Sequence, residues 1–139
     1  MSATRLLVLG IVRGYGRAHG YRVGNDLLSW GAGEWANVKW GSIYHALHRL
    51  TADGCLLDHN EIPGRTDYEL TERGEAEYQR LLRDALRRPD PRPDLVGAAL
   101  AMLPSLPRAD AIALLRQRLA ALEAAREKAQ AQVDGWADP

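Results

Sequence analysis

The sequence predicts a mainly α-helical fold with one small β-hairpin, arranged as a head followed by a helical arm. Three observations predict it. Apolar residues recur in steps of three and four along several segments, two short strand-like runs flank Pro63-Gly64, and the proline-rich run RRPDPRPD interrupts the helical pattern.

From Ala3 to Arg13 the chain is apolar almost all round, with Ser2 or Thr4 available as an N-cap, which predicts a short helix buried on most sides. Gly14, Gly16 and Gly20 break it. Val23, Leu27 and Trp30 then recur at i, i+4 and i+7 on one face of a second helix starting at Tyr21, which Gly31 and Gly33 stop, leaving a loop around Trp35 and Asn37. The segment from Gly41 to Gly54 sets Ile43, Leu47 and Leu50 on one stripe and turns Ser42, His45, His48 and Arg49 elsewhere, which predicts an amphipathic third helix. Leu56 to Ile62 and Thr66 to Leu70 read as a hairpin with Arg65 beside its tip, and a hairpin of two strands must lean on the helices to be stable.

Thr71 is a suitable N-cap for a fourth helix whose face is Tyr78, Leu81, Leu82 and Ala85, with Glu72 and Glu75 at the positive end of its dipole. Pro89 ends that helix. The prolines predict a stiff linker over 89–94, dividing a head at 1–88 from a helical region at 95–139. In the latter, a short apolar helix from Leu95 to Leu103 and a corner from Pro104 to Pro107 precede a long helix from about Arg108 to Val133. Ile112, Leu115, Leu119, Leu122, Ala129 and Val133 form a narrow seam on it, which wants a partner helix and predicts dimerisation.

Bulk properties narrow the function classes. Eighteen Lys and Arg balance eighteen Asp and Glu, which argues against indiscriminate binding of nucleic acid but leaves room for a local basic patch. His19, His45, His48 and His59 all fall in the first half, the likelier anion-facing part. The longest apolar stretch, Leu6 to Val12, is too short to span a bilayer, and Cys55 alone allows no internal disulfide, so a cytoplasmic protein without a membrane partner is expected.

Three helices, a hairpin and a further helix are the element order of a winged helix-turn-helix. Such a module needs its third helix apolar behind and polar in front, and Ser42, Tyr44, His45, His48 and Arg49 supply groups that can donate to phosphates or reach base edges in a major groove. Lys39 adds a phosphate anchor before that helix, and Arg65 and Thr66 at the hairpin tip face the flanking backbone. On its own, a polar helix face of this kind is more often the solvated side of an ordinary helix. Tyr44 can also pack its ring against the second helix, and His19 and Tyr21 read as helix-start and core residues.

The residues carry a resemblance at this point. His19-Gly20-Tyr21, Gly41-Ser42-Ile43-Tyr44 with Leu47, Asp53-Gly54, and the run from Gly64 to Thr71 with Arg65, Tyr68, Leu70 and Thr71 resemble the PadR family of bacterial transcriptional regulators over roughly residues 5 to 88. The tail is similar to that family's dimerising region at lower specificity. The resemblance implies a homodimeric, usually repressive regulator bound to a palindromic operator, in some relatives released by a small aromatic compound. Two features depart from the family pattern: Asp67 and Glu69 flank Tyr68 in a wing that is often more basic, and many relatives add another helix after the long one.

Other readings stand beside this one. Trp30, Trp35 and Trp40 are either core residues or the wall of a pocket for a flat aromatic effector. His45, His48, Cys55 and His59 offer soft ligands but match no zinc spacing, and Cys55 lacks a local nucleophile signature, so neither a metal, a cofactor nor enzyme activity is expected. Two further alternatives remain open: a winged-helix adaptor that binds protein rather than DNA, and a ligand-gated sensor.

Overall fold

The computed structural model describes residues 2–89 and 92–136. Helix α1 (Ala3–Tyr15) begins where Ser2 Oγ accepts the Arg5 amide at 3.4 Å and ends at Gly16, whose φ of 79° suits a residue without a Cβ. Leu6, Leu7, Val8, Leu9, Ile11 and Val12 are all buried, so α1 is the strut on which the other elements pack. There follow β1 (Arg17–His19), α2 (Gly20–Ser29), α3 (Ala32–Trp35), α4 (Trp40–Ala52), β2 (Leu56–Ile62), β3 (Arg65–Leu70), α5 (Glu72–Arg87) and α6 (Pro93–Ala101). A 3-10 turn at Leu103–Ser105 leads into α7 (Arg108–Trp136).

The mainly helical class with a small sheet is the one the sequence predicts, and the differences are local. β1 pairs antiparallel with β3, Ala18 opposite Tyr68, so the expected two-stranded hairpin is a three-stranded sheet in the order β1-β3-β2. Three residues carry no measurable alternation, and only the exposed edge of β3 makes them a strand. The expected loop around Trp35 contains α3, closed by the Val38 amide on the Ala32 carbonyl at 3.1 Å.

Two aromatic placements also differ. Trp30 lies just past α2 and is 47% exposed rather than buried on its stripe, because Gly31 turns the chain at a φ of 78°. Tyr21 is 60% exposed rather than a core residue, since the α2 face toward the core is taken by Val23, Gly24 and Leu27.

Helix α5 starts at a double contact: Thr71 Oγ1 accepts the Gly74 amide at 3.0 Å and donates to the Gly54 carbonyl at 2.6 Å. Cap and preceding turn are thereby tied together. Of the proline-rich joint expected at 89–94, Asp90 and Pro91 lie outside the described residues, and α6 begins at Pro93, where a missing amide costs nothing. Leu95, Ala98, Ala99, Met102, Leu106, Ala111 and Leu114 join the same hydrophobic core as α1, α4 and α5. Polar contacts reinforce this docking: Tyr78 Oη to Ser105 Oγ at 2.7 Å, Arg83 to Asp110 at 3.1 Å, and Arg118 on the Ala85 carbonyl at 3.3 Å. From Leu122 to Trp136, α7 is exposed at every residue.

Candidate nucleic-acid interface

Helix α4 is apolar behind and polar in front. Ile43, Leu47 and Leu50 are fully buried, while Tyr44, His45, His48 and Arg49 are exposed on the other side. Its first turn is closed by Ser42, whose hydroxyl accepts the Lys39 amide at 2.9 Å and donates to the Lys39 carbonyl at 2.7 Å. Ser42 is thus committed to starting the helix, and the Lys39 side chain stands exposed beside that start. The Arg49 side chain is 69% exposed and approaches Asp53 loosely, at 3.8 Å.

What fixes α4 against α2 is a fit of small residues to large ones at matching spacing. Gly20 and Gly24 lie one turn apart on α2, and Trp40 and Tyr44 lie one turn apart on α4. A Cβ on Gly20 would come within 2.9 Å of the Tyr44 ring, and one on Gly24 within 2.0 Å of the Trp40 ring. The indole of Trp40 is stacked between Tyr21, at 5.6 Å between ring centroids, and Tyr44, at 6.1 Å. Tyr44 therefore packs with its ring and still borders the exposed face. Neither Tyr21 nor the role of Trp40 was evident from the periodicity of α2 or α4 taken alone; the paired i, i+4 spacings carried the signal.

His19 caps α2 by accepting the Arg22 amide on Nδ1 at 3.0 Å, as its position at the helix start suggests. Between the start of α2, the α4 face and the hairpin lies a groove of about 390 Å³ whose lining includes Tyr21, Tyr44, His48, Arg65, Thr66 and Tyr68. Burial pushes the Tyr68 hydroxyl above its usual pKa, with Asp58 and Tyr44 adding to the effect.

The hairpin turns at Gly64, with a φ of 75°, and its two predicted contact residues are both engaged within the wing. Thr66 Oγ1 donates to Asn60 Oδ1 at 2.8 Å, and Arg65 is paired with Asp67. On the sheet's other positions, His59 lies between Glu69, 3.2 Å from Nε2, and the Arg17 guanidinium, also 3.2 Å from Nε2. Cys55 is buried, and burial raises its thiol pKa, which suits a small core residue. Among the described residues, no three His, Cys, Asp or Glu side chains come together in a way that could hold a metal ion.

Trp30, Trp35 and Trp40, the expected effector wall, are divided between two contacts. Trp40 belongs to the α2–α4 stack, whereas the Trp35 indole donates to the Trp30 carbonyl at 3.1 Å and lies against Gly97 of α6. On α7, Leu115 is half-buried against the core, while Ile112, Leu119 and Leu122 are 38%, 55% and 43% exposed. No helix among the described residues is long and apolar enough to cross a membrane.

Set beside known proteins, this arrangement has counterparts. The model of the Transcriptional regulator PadR-like family matches residues 8–80, more than half of the chain. Bacillus subtilis PadR, in a crystal structure with operator DNA, is 25% identical at a TM-score of 0.51, over 97% of this chain and 78% of that one. A transcriptional regulator from Clostridium thermocellum is 20% identical at a TM-score of 0.48, over 55% of this chain and 74% of that one. No curated protein matches the chain in sequence.

Proposed function

Because the chain belongs to the PadR-like family of transcriptional regulators, we propose that it is a repressor that binds a pseudo-palindromic operator as a homodimer. The observation that carries this reading is α4, whose buried stripe of Ile43, Leu47 and Leu50 holds Tyr44, His45, His48 and Arg49 outward on one face. A helix of that section fits a major groove about 12 Å wide. His45, His48 and Arg49 read base edges, and Lys39 and Thr66 meet phosphates, with Arg65 beside them at the wing tip held on Asp67, while Ser42 and Tyr44 orient the helix through the contacts described above. The operator DNA bound to the similar Bacillus subtilis protein supports the same partner here.

The seam of α7 supports dimerisation. Its exposed Ile112, Leu119 and Leu122 repeat at coiled-coil spacing and continue from the part of the helix already docked on the head. A second copy laid against this seam about a two-fold axis supplies a second α4, one for each half-site of a two-fold operator. The head then spans 1–88 and the dimerising region 95–139, in the cytoplasm, where the DNA is. A small aromatic effector acts at the tryptophans: at Trp35, whose indole lies against Gly97 of α6 and holds the Trp30 carbonyl, or at Trp40 in its separate stack on α4.

A second reading has its own observation. The chain is neutral overall and its wing is acidic, with Arg65 paired to Asp67 and with Asp58, Glu61 and Glu69 beside that pair, which favours an adaptor that has given up DNA. Selection of bound duplexes from random DNA with the full chain separates the two. A two-fold symmetric motif, its half-sites about one helical turn apart, is expected of the repressor; no enrichment even at low salt would leave the adaptor.

A further inference from the structure

Arg65 opens β3 and Asp67 follows two residues later, so both side chains leave the same face of the strand. The guanidinium closes on the carboxylate with two prongs, Nε to Oδ1 at 2.8 Å and a terminal nitrogen to Oδ2 at 3.3 Å. β3 is the middle strand of the sheet, with Asp67 opposite His19 on one side and His59 on the other. The acceptor is therefore carried on backbone that is held from both edges. The Asp67 side chain is 14% exposed, whereas that of Arg65 is 47% exposed and borders the groove beside Tyr44 and His48. Arg65 thus sits at the interface with its cation already satisfied by Asp67, whose carboxylate is also drawn by His19 and Arg17.

A guanidinium fork takes a carboxylate and a phosphate in the same two-bonded geometry. Asp67 accordingly offers Arg65 the ligand that a DNA phosphate would offer, before any DNA arrives. We propose that Asp67 is a positioning residue that parks Arg65 as an internal substitute for phosphate, and so withholds one sequence-independent contact from DNA. This rests on the DNA-binding reading above and adds to it that the wing's cation is held in reserve by its own strand. For a regulator searching among many non-operator sites, a weaker sequence-independent contact leaves more of the protein free to find its operator.

The test is fluorescence anisotropy of the full chain on a labelled random-sequence duplex across a salt series. The proteins are the parent, Asp67→Asn, Asp67→Glu, Arg65→Ala and the Arg65→Ala/Asp67→Asn double variant. Asp67→Asn is expected to tighten binding roughly two- to fivefold, the range by which exposed ion pairs shift equilibria. It should also steepen the slope of log K against log salt by about 0.9, one phosphate contact. Asp67→Glu, which keeps the charge on a side chain one methylene longer, should bind like the parent, and Arg65→Ala should bind no more tightly than the parent, because it frees no cation. The double variant should fall back to the parent's affinity and slope. An Asp67→Asn protein with the parent's affinity and slope overturns the inference, and so does a double variant as tight as Asp67→Asn, because the Asp67 charge would then act on DNA without Arg65. A parent that binds no duplex of any sequence defeats the DNA-binding reading itself, whereas a parent that binds with an unchanged Asp67→Asn defeats only the parking of Arg65.

Discussion

Gly24 and Trp40 occupy the same space that any larger pair would contest: a Cβ on Gly24 would stand 2.0 Å from Cζ3 of the indole and 2.7 Å from Cε3. The absence of a side chain on α2 is what lets the ring lie flat between Tyr21 and Tyr44, and the ring in turn sets the distance of α4 from α2.

Gly24→Ala should therefore displace the indole and cost about 1–3 kcal/mol of stability, the usual size of an overpacking penalty. Urea unfolding followed by tryptophan fluorescence checks this. Operator affinity should fall as well, because α4 loses its placement; a variant as stable as the parent would show that the stack is not a constraint.

Arg49→Ala and His45→Ala should each weaken operator binding by roughly 1–3 kcal/mol while leaving random-duplex binding nearly unchanged, since base-edge contacts carry the discrimination. Lys39→Ala should weaken both alike. Titrations of operator and random duplex at one salt concentration distinguish the two patterns, and an Arg49→Ala protein with the parent's operator affinity removes Arg49 from the reading set.

Leu119→Glu places a carboxylate in the exposed seam of α7, four residues beyond the half-buried Leu115. In a dimer both copies would meet there, so the dimer Kd should rise by at least about tenfold, or 1.4 kcal/mol. Sedimentation at several concentrations reads the shift. A mass independent of the substitution would place the dimer interface elsewhere.

Glu77 is held by Arg80, with oxygen–nitrogen distances of 2.7 and 3.1 Å, and by Arg5 at 3.5 Å. The hydrogen bonds from Arg80 come first in lowering its pKa below the ordinary 4.5, with Arg5 adding to them against the effect of burial. A carboxylate depressed in the folded state contributes stability above its unfolded value and loses it as pH falls through the folded one. Glu77→Gln should thus be less stable than the parent at neutral pH, by roughly 0.2–1 kcal/mol because Arg80 is exposed, and the gap should close in acid. Urea midpoints at neutral pH and at about pH 3 test the sign; a gap that widens in acid would contradict it.

Much of this molecule was legible in its sequence. Val8, Leu9 and Val12 in α1, the stripe Ile43, Leu47 and Leu50 in α4, and the Pro63-Gly64 turn each record a local rule of spacing or turn chemistry, and each element stands where that rule puts it. The outward set on α4 was legible for the same reason, as the complement of a buried stripe. Arg17 to His19 was not, because three residues become a strand only when another strand's edge is present. Trp30 and Tyr21 were not, because helical spacing says which residues share a face but not which face the neighbours cover.

By itself the sequence determined the order of the longer helices and the hairpin, the polar front of α4 and the exposed seam of α7, all of which depend on residues close together in the chain. Only the tertiary structure decided that α6 shares the head's core, that two glycines on α2 receive two rings from α4, and that Arg65 closes on Asp67 rather than standing free. Those outcomes depend on which surfaces meet and on the direction each side chain takes once they do, and neither is encoded in the period of a helix or a strand.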